Sequence, residues 1–172
     1  MAESLTADLK EARALAGTAR VFSIIALVII GVTIAARLGP AIWSAVSSND
    51  PSPWRDQFRD VGLRLISLLP AMLLFESVNQ LQRALNLYCD GQFFSAAAAS
   101  RVAQAGEYAV HAMIALILVV PNLTVWVSNH GGFRWHFEPE HIGMLAFALF
   151  VSVVGRILAA ATRLKTENDS FV

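Results

Sequence analysis

"VFSIIALVIIGVTIAA", Val21 to Ala36, runs between Arg20 and Arg37 without one ionisable side chain. A helix crossing a membrane needs about 20 mostly apolar residues to traverse about 30 Å of hydrocarbon. A helix packed in a water-soluble bundle keeps a polar stripe toward solvent. This run is apolar all round and rich in β-branched residues, so lipid is its solvent.

Three further segments repeat the pattern. "VGLRLISLLPAMLLFESVN" begins at Val61, "GEYAVHAMIALILVVPNLTVWVS" at Gly106, and "IGMLAFALFVSVVGRILAAATRL" at Ile142. The expectation is a single all-α membrane domain over 1–172, a four-helix bundle with spans at 20–38, 61–80, 106–128 and 142–162. Pro70 and Pro121 need not end their helices, because neighbouring groups in a bundle satisfy the freed carbonyls. Ahead of the first span, Leu5, Leu9, Ala12 and Ala16 recur at helical spacing beside Glu3, Asp8, Lys10 and Glu11. That spacing predicts a short amphipathic helix on the membrane surface. The same acidic residues argue against a signal peptide, whose leading region is short and basic.

Composition agrees. Of 172 residues, 56% are hydrophobic and only 15% charged, where soluble domains carry roughly 25% charged residues. The formal net charge is zero, which gives no field to attract nucleic acid, and no direct nucleic-acid binding is expected. Cys89 is the single cysteine, so no internal disulfide and no cysteine-based zinc motif exists.

Topology follows from basic residues in short flanks, which favour the cytoplasm. With four spans, Lys10, Arg13, Arg20, Arg83, Arg101, Arg163 and Lys165 share one side with both termini. Arg37, Arg55, Arg59 and Arg134 face the other, as do Trp43, Trp54, Trp126 and Trp135. The excess predicts both termini in the cytoplasm.

The connector of spans two and three reads "LYCDGQFFSAAAASRVAQAGE", Leu87 to Glu107. Gly91 suits a helix C′ position, which favours a left-handed residue. Ser95 suits the N-cap of the next helix. Phe93 and Phe94 bridge stop and start. The expectation is a structured cytoplasmic elbow.

The elbow resembles the bacterial membrane-protein family called domain of unknown function 2975. The resemblance rests on Tyr88, Gly91, Phe94, Ser95, Arg101 and Gly106, and at the C-terminus on Arg163, Lys165, Glu167, Asn168 and Val172. It extends over roughly Asp60 to Val172. It implies a four-span layout in a bacterial plasma membrane with no assigned activity, and a cytoplasmic helix-turn-helix regulator as partner.

Charges inside a membrane cost about 2.5–3.5 kcal/mol each at a helix centre and usually face the bundle in pairs. Glu76 lies 15 residues after Val61 and Arg156 lies 14 after Ile142, at similar depth on two helices running the same way. The expectation is a Glu76–Arg156 pair with Glu107 and His111, i,i+4 neighbours on span three, beside it. Two roles compete for such a chain: a non-enzymatic regulatory or scaffolding protein, and a small transport or ion-conducting component using these four charges.

The outer loop "NHGGFRWHFEPEH", Asn129 to His141, offers His130, His136, Glu138, Glu140 and His141, but at no established metal-site spacing; no metal is assigned. No P-loop, GxGxxG or Ser/His/Asp order occurs, so no catalytic residue and no cofactor is expected. Besides the bilayer and a cytoplasmic protein, self-association is an open partner. Gly31 with Ala35, and Gly155 with Ala159, have the small-xxx-small spacing that lets helices approach.

Overall fold

The computed structural model describes residues 2–47, 54–93, 95–128, 132–133 and 138–169. Helix α1 spans Ala2–Ser47, α2 Trp54–Cys89, α3 Ala96–Ile114, α4 Val120–Val127 and α5 Pro139–Asp169. A π-helical segment, Ala115–Val119, joins α3 to α4. The described residues form four membrane-length apolar stretches: Leu9–Pro40, Arg59–Cys89, Ala96–Val127 and Pro139–Leu164. Four long apolar helices packed as a bundle are therefore present. Each stretch outruns the apolar run that marks it, since helix propensity continues through polar residues after hydropathy has fallen.

No separate amphipathic helix precedes the first span. Ala2–Ser47 is one unbroken helix, so the residues expected on a surface helix extend the span instead. The sequence from Leu9 to Arg20 holds good helix formers and no breaker except Gly17, and a helix already nucleated propagates through such residues at little cost.

The helices pack in chain order: α1 against α2, α2 against α3, and α3 against α5. Thus α1 and α5 occupy the two edges. On α1 the exposed side chains include Val21, Phe22, Ile25, Val28, Ile29 and Val32, as an apolar helix bathed in lipid requires. The interior is built mainly of small residues. Ala84, Ala98, Ala99, Ala103, Ala105, Ala112 and Ala115 are buried, with Leu68, Met113 and Ile117 among the larger ones. Alanine-lined seams let helix backbones approach, which is how packing replaces the hydrophobic effect inside lipid.

The closest seam joins α3 to α5. A Cβ at Gly106 would lie 2.8 Å from Ser152 Cβ and overlap its backbone, and one at Gly155 would overlap the backbone of Ala103. Gly155 therefore serves the small-residue contact its spacing suggests. Gly31 does not need its size, since an added Cβ would meet only the Phe75 ring at 3.9 Å. On the other flank of α3, the Ser77 hydroxyl donates to the Ala105 carbonyl at 2.8 Å.

The prolines are absorbed without breaking the spans. Pro40 lies inside α1 and Pro70 inside α2. Pro121 lacks an N–H, and the helix answers with the π segment just before it. The Asn122 side-chain amide then donates to the Leu118 carbonyl at 2.6 Å, supplying a donor in a region with no water.

Candidate functional site

The elbow is an ordered turn. Helix α2 ends in a Schellman arrangement, with Gly91 N–H donating to the Tyr88 carbonyl at 3.0 Å and Gln92 N–H to Leu87 at 2.9 Å. Gly91 has φ +82°, the left-handed conformation that a side chain would oppose. Ser95 is extended at φ −93°, ψ 140°, and its hydroxyl accepts from Ala98 N–H at 3.1 Å. Between the caps, Phe93 stacks on Tyr88 with ring centroids 5.9 Å apart and planes 8° from parallel. Phe94 lies outside the described residues.

Beyond the turn, α2 and α3 carry a polar network across their shared seam. Glu76 accepts from Asn79 Nδ2 at 3.1 Å and from Gln80 Nε2 at 2.5 Å. Gln80, only 6% exposed, also accepts from Arg101 Nη1 at 2.8 Å through its Oε1. Arg101 Nη1 reaches Gln104 Oε1 at 3.4 Å. Gln80 thus joins an acid on α2 to a base on α3, and its burial is tolerated because both ends of its amide are satisfied.

Arg156 belongs to a second network. Its Nη2 and Nε donate to Glu107 Oε1 at 2.7 and 3.2 Å, a pair on the open side of the α3–α5 seam. The expected Glu76–Arg156 pair does not form: Glu76 is satisfied by its own helix and Arg156 by α3. His111 stands with Nδ1 2.7 Å from the Glu107 carbonyl, a contact that calls for the Nδ1–H tautomer. It joins Glu107 through the backbone and takes no part in the ion pair.

Sequence reasoning missed Gln80 and Ser77, and it named Arg101 as a basic residue of the elbow without its partner. Gln80 carried a usable signal, since it follows Glu76 by four residues and shares its helix face. Arg101 and Ser77 become legible only once α3 is laid on α2.

At the opposite end of the bundle, His130 and His136 lie outside the described residues. Glu138 and His141 stand 3.8 Å apart at the start of α5, and Glu140 lies exposed in the first turn. Among the described residues no three His, Cys, Asp or Glu side chains converge as a metal site would require.

Four apolar helices in chain order, closed by a capped elbow, define a multi-pass membrane protein. The model of a family of proteins of unknown function, DUF2975, matches residues 6–172. The chain belongs to that family, and the match reaches through α1, well beyond the elbow and tail that carry the short motifs. No curated protein and no solved structure matches it.

Proposed function

We propose that this protein is a non-enzymatic regulatory or scaffolding element of a bacterial plasma membrane, with elbow and termini in the cytoplasm, and that the elbow docks a cytoplasmic protein. One observation carries the reading. Helix α2 continues to Cys89 and α3 begins at Ala96, so each extends roughly ten residues past the apolar run, about 15 Å at 1.5 Å per residue. These extensions are closed by a double-capped turn and cross-tied by Gln80 and Arg101. Loops that merely connect spans need no such order, whereas a docking surface gains affinity from being preorganised. The family resemblance suggests a helix-turn-helix regulator as the partner class. The transport alternative draws less support from the charges, because Glu76 stands apart from the Glu107–Arg156 pair.

The test is affinity capture of the full-length protein from native membranes after mild cross-linking, beside a variant with Arg83→Glu on the α2 extension and Phe93→Ala in the elbow. A soluble protein captured by the wild type and lost from the variant supports the proposal. Equal capture by both, or none by either, sinks it.

A further inference from the structure

We infer that the groove between α3 and α5 on the elbow side binds the phosphate-bearing headgroup of an anionic phospholipid. The groove has a volume of about 570 Å³, and Ser100, Ala103, Ala159 and Ala160 form its walls together with Arg156 and Arg163. Its existence follows from side-chain size. Where Gly155 meets Ala103 the helices touch backbone to backbone, and the small side chains beside that contact on both helices leave a channel.

The two arginines are seven residues apart, two helical turns, and so share one face about 10 Å apart along α5. Glu107 holds Arg156 through Nη2 and Nε, leaving its Nη1 without a partner among the described residues. Arg163 is exposed and forms no ion pair among the described residues. Among the described residues, two arginines and no carboxylate line the groove, so its lining is positive even with Glu107 paired to Arg156. Guanidinium groups with free N–H edges match phosphate oxygens in both charge and geometry.

A lipid suits the groove better than a protein because apolar surface accompanies the charge. Ile157, Leu158 and Leu164 are exposed on the same stretch of α5, and the membrane-length stretch of that helix ends at Leu164. A ligand with an anionic head and hydrocarbon tails satisfies both. Free phosphate would use only the arginines, and a second copy of the chain would bring its own Arg163 against this one.

Native mass spectrometry of the full-length protein in detergent, titrated with dioleoylphosphatidylglycerol or dioleoylphosphatidylcholine, isolates the headgroup because the tails are identical. The expected result is tighter retention of phosphatidylglycerol. Arg163→Gln should weaken it about fivefold, the equivalent of one basic residue near a membrane surface. Ala160→Leu, which fills the groove without altering charge, should weaken it as well. Arg83→Gln, which removes an exposed charge from α2, should leave it unchanged. Equal retention of both lipids overturns the inference, as does equal loss in Arg83→Gln and Arg163→Gln. Displacement of phosphatidylglycerol by millimolar inorganic phosphate, or a lipid-free dimer in place of the lipid complex, overturns it too.

Discussion

Arg156 closes on Glu107 with Nη2 2.7 Å from Oε1, and the register of α5 on α3 explains why. Gly106 lies against Ser152, and Gly155 against Ala103. Those two contacts fix how far α5 slides along α3. Glu107 follows Gly106 directly and Arg156 follows Gly155 directly, so each charge emerges beside the seam its glycine creates. A Glu76–Arg156 pair would have to reach past α3, since among the described residues α5 packs chiefly against α3.

The pairing is measurable by double-mutant cycles. Glu107→Gln and Arg156→Gln, singly and together, should show a coupling of about 0.5–1 kcal/mol, the range for a well-aligned but exposed pair. The same cycle between Glu76 and Arg156 should give nothing above about 0.5 kcal/mol. Reversible unfolding in mixed detergent provides the readout. A larger coupling for Glu76 than for Glu107 would refute the register.

The seam glycines predict a sharp contrast among glycine-to-alanine substitutions. At Gly106 and Gly155 the atoms in the way are backbone atoms of Ser152, Ala103 and Val102, which cannot swing aside as a long side chain can. Each substitution should destabilise by about 1–3 kcal/mol or more. At Gly62, inside α2, an added Cβ meets nothing within 4 Å. There alanine should stabilise by up to about 1 kcal/mol through helix propensity. Thermal unfolding of the three variants in one detergent separates the outcomes, and equal shifts would discard the close-packed seam.

The elbow caps predict local rather than global losses. Gly91→Ala forces a Cβ into a left-handed conformation at about 1 kcal/mol or more, and Ser95→Ala removes an N-cap at about 1 kcal/mol. Gly91→Asn should recover part of the loss, because asparagine tolerates that conformation. Hydrogen exchange should quicken in residues 86–99 and stay unchanged at the Gly106–Ser152 seam. Faster exchange at the seam would mean that the elbow holds the bundle together rather than merely closing it.

These residues also mark what a linear sequence discloses. Val21–Ala36 reveals its environment because lipid imposes one requirement on every side chain, and Gly91 and Ser95 reveal caps because capping acts over a few neighbouring residues. Helix ends past Gln80 and ahead of Gly106 are invisible to hydropathy, since the chain stays helical where its composition turns polar, and only the caps at Gly91 and Ser95 disclose them. The absence of a separate amphipathic helix has the same cause, there being no breaker but Gly17 between Leu9 and the span. The Arg156 partner was illegible for another reason. Depth along a helix can be counted from sequence, but which helices touch cannot, and chain-order packing puts α3 between Glu76 and Arg156.

Topology can be read with the one native thiol. Cys89 is a free, partly exposed cysteine at the end of α2, on the elbow side that the proposed topology puts in the cytoplasm. A membrane-impermeant maleimide should leave it unlabelled in intact spheroplasts and label it in inverted vesicles. A Cys89→Ser variant carrying Thr6→Cys should behave in the same way, because an even number of spans returns the N-terminus to the elbow side. Moving the thiol to the opposite end of the bundle, as Cys89→Ser with Ser128→Cys, should reverse the pattern. Labelling of Cys89 in spheroplasts would invert the assignment and remove the cytoplasmic docking role, while leaving the packing of the four helices untouched.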